Sequence, residues 1–168
     1  MSVVEHKQPF ERKIQCMVLT VSDTRDKQSD KSGQLMMEKL KESGYQIEEY
    51  RIVRDEKTEI ESAVLSGCEM ERIDAILING GTGIAPRDIT IETLQPLLDK
   101  EIVGFGEIFR MVSYLEDIGS AAILSRALAG VIKRTAVIST PGSSGAVRLA
   151  MDKLILPELG HIVKEINK

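Results

Sequence analysis

The chain has 168 residues, 42% of them hydrophobic and only 4% aromatic, with 22 basic side chains against 26 acidic ones for a formal net charge of −4. That length suits one domain, able to bury about two-thirds of its unfolded surface without covalent staples. The charge balance excludes a broadly cationic nucleic-acid or membrane-surface footprint and leaves room only for a local basic cluster that meets a phosphate.

Residues 1–12 are polar, are interrupted by Pro9 and lack the apolar stretch of a secretory signal, so they read as a tail ahead of a single domain over 13–168. The continuous apolar run over 14–21 is that of a strand buried on both faces. A polar loop follows, then a helix from about residue 32 with Leu35, Met36 and Leu40 inward and Gly44 as its stop. Residues 46–53 alternate as a strand. Thr58, with Glu61 three residues on, predicts a capping box and a helix reaching about residue 72. Residues 74–79 form the next buried strand. Thr90 is placed to cap a helix through residue 98, and a further helix is expected over 107–115. Short strands at 131–132 and 136–139 are joined by a tight turn at Lys133-Arg134. From Ser143 the chain is helical, interrupted by Pro157. No stretch approaches the ~18 apolar residues of a membrane span. Cys16 and Cys68 form no C-x-x-C pair and read as buried free thiols of a reducing compartment, so the expected location is the cytoplasm.

Strands alternating with helices imply right-handed crossovers and a mainly parallel sheet covered on both faces, an α/β fold. Ligands of such sheets bind beyond the carboxyl ends of the strands, so the loops after the first, second, third and last strands should share one rim. After the third strand comes Gly80-Gly81-Thr82-Gly83, whose glycines permit positive φ and close approach of backbone amides to an anion. Arg87 can clamp a phosphate and Asp88 can hold a hydrated Mg²⁺. The plainer reading is a tight turn into a helix whose N-terminus Asp88 favours. No Gly-Lys-Ser/Thr follows and no G-x-G-x-x-G is present, which excludes a P-loop and the usual dinucleotide fingerprint. Pro141-Gly142-Ser143-Ser144-Gly145 reads either as a second anion site or as a helix cap formed by Ser143 or Ser144. Ser22-Asp23-Thr24 and Asp55 stand at the same rim. Asp55 and Asp88 on neighbouring strand ends are placed to share a metal or substrate, and two carboxylates meeting phosphates need a cation such as Mg²⁺ between them. His6 and His161 are too remote for a nucleophile–base pair, and no Cys/His spacing suggests zinc.

Five motifs in order carry a resemblance: Ser22-Asp23-Thr24, Asp30-x-Ser32-Gly33, Gly80-Gly81-Thr82-Gly83-x-x-x-Arg87-Asp88-x-Thr90, Gly104-Phe105-Gly106-Glu107 with Ala122-Ile123-Leu124-Ser125-Arg126, and Pro141-Gly142-Ser143. The chain resembles the MoaB/Mog family of molybdenum cofactor biosynthesis over nearly its whole length, most closely the MoaB branch. That resemblance implies a three-layer α/β/α sandwich that binds molybdopterin at the rim and assembles as a homotrimer or homohexamer. It implies adenylylation of molybdopterin by ATP with Mg²⁺ and release of pyrophosphate, with no tightly bound cofactor. Asp55 and Asp88 would be the catalytic pair and the Mg²⁺ ligands. Gly80, Gly81, Thr82, Gly83 and Arg87 would cradle phosphate. Ser22, Asp23, Thr24, Glu107, Ser113, Pro141, Gly142 and Ser143 would line the pterin and nucleotide pocket. Other molybdenum cofactor biosynthesis proteins are candidate partners; nucleic acid and membrane are not. Two positions depart from the pattern: Ile91 stands where relatives often carry proline, and Gly145 where many adenylylating relatives carry lysine, Arg148 being the nearest basic residue downstream. A non-catalytic molybdopterin carrier or assembly protein is therefore the competing reading.

Overall fold

The computed structural model of the chain describes residues 12–168. Of the expected tail it includes only Arg12, whose guanidinium pairs with the Asp74 carboxylate at 2.6 Å. In chain order the elements are β1 (Gln15–Val21), α1 (Lys31–Glu42), β2 (Gln46–Val53), α2 (Lys57–Glu69), β3 (Ala75–Asn79), α3 (Thr90–Leu94), β4 (Lys100–Glu101), α4 (Val103–Glu116), β5 (Leu128–Ile132), β6 (Thr135–Thr140), α5 (Ser144–Ala150) and α6 (Leu156–Ile166). Turns of 3₁₀ helix lie at Gln95–Leu97 and Gly119–Leu124, and a π-helical stretch, Met151–Ile155, joins α5 to α6.

The six strands form one sheet in the order β2-β1-β3-β6-β5-β4. The first four in that order are mutually parallel, and β5 and β4 are antiparallel additions at one edge. Side chains alternate along β1. Cys16 and Val18 enter an apolar core with Met36 and Leu40 of α1, Phe109 of α4, Val147 of α5 and Leu159 of α6. Met17, Leu19 and Val21 enter a second core with Ile60 and Val64 of α2 and Leu94 of α3. A strand covered on both faces needs apolar residues at every position, which is why β1 and β3 read as unbroken runs. The result is a three-layer α/β/α sandwich. Both cysteines are buried and free. Burial pushes the thiols of Cys16 and Cys68 up to about 12 and about 11, so neither supplies a thiolate at neutral pH.

Several boundaries differ from the sequence reading. Glu56, not Thr58, occupies the cap position of α2, and no side chain caps that helix, so the Thr58–Glu61 capping box does not form. Glu59 instead accepts from the Arg54 amide at 3.0 Å. The helix stops at Glu69, where Met70 turns to extended backbone. Thr90 is the first residue of α3 rather than its cap, and Pro96 turns the path to 3₁₀ after Leu94 because it lacks an amide hydrogen. Helix α4 starts at Val103, four residues early, and β5 starts three residues early. Pro157 lies in the first turn of α6, where it fits without ending the helix.

Candidate functional site

Strands β1, β2, β3 and β6 end side by side, and backbone bonds carry their loops together. The Ser22 amide donates to the Val53 carbonyl at 2.8 Å, and the Gly80 amide to the Thr140 carbonyl at 3.1 Å. Between the loops lies a cleft of about 310 Å³. Its walls are Val21, Ser22 and Arg25 from the first loop, Asp55 from the second, Gly80, Gly81, Thr82, Gly83 and Asp88 from the third, Leu124 and Ser125 ahead of β5, and Pro141 and Gly142 after β6.

The glycine loop meets the expectation of positive φ at Gly80 (+99°) and Gly81 (+66°), though not at Gly83. A Cβ on Gly81 would lie 2.2 Å from Thr90 Oγ1 and 2.5 Å from Asp55 Oδ1. The bare backbone is thus what lets Asp55 and Thr90 close on the loop from opposite directions. Arg126 fixes the loop from outside: its Nε donates to the Thr82 carbonyl at 2.9 Å and its Nη2 to the Gly83 carbonyl at 2.6 Å. Glu92 pairs with the same guanidinium, whose hydrogen bond holds that carboxyl below its ordinary range.

Asp55 and Asp88 are brought together as expected. A Cβ on Gly83 would lie 2.5 Å from Asp88 Oδ2, which also accepts from the Ala85 amide at 3.1 Å. Burial raises the Asp55 carboxyl above its ordinary range, and the negative charges of Asp23 and Asp88 raise it further. Asp55 Oδ1 and Thr90 Oγ1 are both buried and have no hydrogen-bond partner. Neither Asp55 nor Asp88 is ion-paired among the described residues. Two half-buried carboxylates in that state fit a divalent cation whose remaining ligands are water and phosphate oxygens. No group of three or more His, Cys, Asp or Glu suited to a metal occurs among the described residues, so the site differs from a cage made wholly of protein ligands.

The other expected residues are distributed differently. Asp23 stands at the rim, where its Oδ1 accepts from the Asp55 amide at 3.2 Å and its Oδ2 from Arg87 Nε at 2.9 Å. Arg87 is therefore bonded to a carboxylate outside the cleft wall. The Thr24 amide donates to Ser22 Oγ at 3.3 Å, and Thr24 faces solvent. Ser143 caps α5, accepting from the Ala146 amide at 3.2 Å, as the plainer of the two readings of that loop holds. Glu107 is exposed and Ser113 buried on α4, and neither lines the cleft.

Arg25 was not singled out from the sequence, although it directly follows Ser22-Asp23-Thr24. Its Nη2 donates to the Gly142 carbonyl at 2.9 Å, and its Nη1 lies 3.6 Å from the fully buried Asp30. Asp30 caps α1 by accepting from the Gly33 amide at 3.0 Å, and both Thr20 and Tyr50 hydroxyls donate to its other oxygen at 2.6 Å. The motif Asp30-x-Ser32-Gly33 therefore has a structural cause: Asp30 holds Arg25, and Ser32 Oγ donates to the Gly142 carbonyl at 2.7 Å. In the motif ending Ser125-Arg126, Ser125 supplies cleft wall and Arg126 the loop clamp.

Comparison with known proteins places the chain by its sequence and its fold. Residues 17–161 match the family model described as "Probable molybdopterin binding domain". The chain is 63% identical over 168 residues to molybdenum cofactor biosynthesis protein B of Bacillus subtilis (strain 168), covering 100% of this chain and 99% of that one. A crystal structure of a molybdenum cofactor biosynthesis protein B superposes with a TM-score of 0.91 at 61% identity, over 93% of this chain and 97% of that chain. The tungsten cofactor synthesizing protein MoaB from Pyrococcus furiosus superposes with a TM-score of 0.84 at 39% identity, over 94% and 99% of the two chains. With the family model spanning most of the sandwich and relatives of this similarity along the full length, the chain belongs to the MoaB/Mog family of molybdenum cofactor biosynthesis proteins.

Proposed function

We propose that the cleft binds molybdopterin and transfers adenylyl to it from ATP, in the cytoplasm, with Asp55 and Asp88 as the residues that hold Mg²⁺. The observation that carries this reading is the convergence of those two carboxylates, neither ion-paired, on one glycine loop from two strand ends. In the reaction a phosphate oxygen of molybdopterin forms a bond to the α-phosphorus of ATP while the α–β anhydride bond breaks and pyrophosphate leaves. Bound Mg²⁺ would supply charge neutralisation at the phosphate oxygens. The chain's own part is to align two anions and offset their charge: the carboxylates orient, the loop permits close backbone approach, and no side chain needs to form a covalent intermediate. Among the described residues the cleft wall carries no histidine or cysteine, and this chemistry requires neither.

The test is incubation of the protein with molybdopterin, ATP and Mg²⁺. The parent is expected to release pyrophosphate, and Asp55→Asn and Asp88→Asn to lose about 10²-fold or more of that rate. One observation favours the carrier reading: Gly145, where the family resemblance leads one to expect a lysine, is the second residue of α5 and is exposed without a side chain to offer a phosphate. Tight molybdopterin binding without pyrophosphate release would decide for the carrier. We also propose homo-oligomeric assembly, trimeric or hexameric, supported by Ile108, Met111 and Leu115 standing exposed on α4.

A further inference from the structure

We infer that Arg25 binds a phosphoryl oxyanion at the Gly142 end of the cleft. This deepens the reading above, on which it rests, by naming the side chain that recognises the phosphate. Arg25 is the one basic residue on the cleft wall among the described residues. Arg87 is committed to Asp23, and Arg126 to two carbonyls and Glu92. A guanidinium carries five N–H donors. Gly142 takes one of Arg25's at 2.9 Å and Asn79 Oδ1 takes another at the long distance of 3.4 Å, so Nε and further Nη hydrogens remain for a ligand. The side chain is 31% exposed, enough to be reached.

What distinguishes Arg25 from a surface base is its support. Asp30 is completely buried, and its oxygens are filled by Thr20, Tyr50 and the Gly33 amide. At 3.6 Å it balances the guanidinium charge without consuming a short hydrogen bond. The fork is thus held in place before a ligand arrives, which removes the ordering cost that a free arginine bears on binding. The anchors also run in order along the glycine loop. A Cβ on Gly142 would lie 3.0 Å from Gly80 Cα and 3.6 Å from Arg25 Nη1, while Asp55 abuts Gly81 and Asp88 abuts Gly83. The cleft is therefore cationic at one end and acidic at the other, matching a ligand with one bare oxyanion and others neutralised by a cation.

The test uses the full chain and inorganic pyrophosphate with Mg²⁺ as probe. In the parent, the Arg25 Nε–Hε resonance is expected to shift as pyrophosphate is titrated, a readout that needs no variant. By calorimetry, Arg25→Gln is expected to raise Kd about ten-fold or more. Arg25→Lys, which keeps a cation beside Asp30, is expected to weaken binding several-fold because it lacks the planar fork. Arg72→Gln, distant and paired with Glu48, controls for net charge and should stay within about two-fold. An unmoved Arg25 resonance while pyrophosphate binds, no pyrophosphate binding at all, or a folded Arg25→Gln with parental affinity would each overturn the inference. Failure of molybdopterin to bind while pyrophosphate still shifts Arg25 would sink the pterin reading and leave the oxyanion site standing.

Discussion

Asp55 sits where burial and two neighbouring acids disfavour its charged form, and its inward oxygen has no partner. The consequence for stability has a definite sign. With a folded value raised above the unfolded value of about 3.9, the folded chain binds more protons between the two, so stability falls as pH rises through that window. Above the raised value the penalty is complete. Asp55→Asn removes it and is expected to raise Tm at neutral pH by about 1–3 °C, with the advantage vanishing below the unfolded value. Calorimetry at neutral and acid pH checks this; a lower Tm at neutral pH would show that the carboxylate is better satisfied than its surroundings indicate. The same residue is proposed as essential for turnover, so the substitution should trade activity for stability. Sequence spacing identified Asp55, Asp88 and the glycines because strand-end position and residue type suffice for them. It pointed to Arg87 and passed over Arg25, which lines the cleft. Which guanidinium enters the cleft depends on Asp23 and Asp30, whose partners lie on other loops and strands.

At the level of elements, the glycine loop is held by a side chain from another part of the chain. Arg126→Met keeps the apolar stem but frees the Thr82 and Gly83 carbonyls and leaves Glu92 without its partner. The expected cost is about 1–3 kcal/mol in stability. Amide exchange should quicken over residues 80–88 and stay slow in β3, whose residues are fully buried. Exchange unchanged in the loop would show that its positive-φ turn stands unaided. The strands β1, β3 and β6 were readable because burial on both faces demands an uninterrupted apolar run. Helix α2 misled because Thr58 and Glu61 fit a capping box by type, yet the turn after Asp55 places the first helical residue at Lys57, leaving Thr58 inside the helix. The two-residue β4 has no periodicity to read. It exists through backbone bonds flanking it, from the Asp99 amide to Val131 at 2.8 Å and from the Ile102 amide to Ala129 at 2.7 Å.

Across the whole molecule, apolar side chains gather on one outer surface. Ile108, Met111, Tyr114 and Leu115 of α4 are at least 45% exposed, and Ile118 and Ile123 continue the patch. Scattered apolar residues are ordinary on a surface, but several on one helix and its following turn are the kind of surface the proposed assembly would cover. Light scattering is expected to give a homo-oligomer for the parent and a smaller species for Met111→Glu, since a buried unpaired charge is costly at such a contact. A monomeric parent would remove the basis for the assembly proposed above. Between that patch and the cleft lie only a few residues: Ile123 is outermost, Leu124 and Ser125 form cleft wall, and Arg126 grips the glycine loop. A neighbour seated on Ile123 would thereby stiffen the peptide planes that meet the ligand. Linkage is reciprocal, so occupancy of the cleft should favour association, and dilution should loosen the grip on whatever the cleft holds.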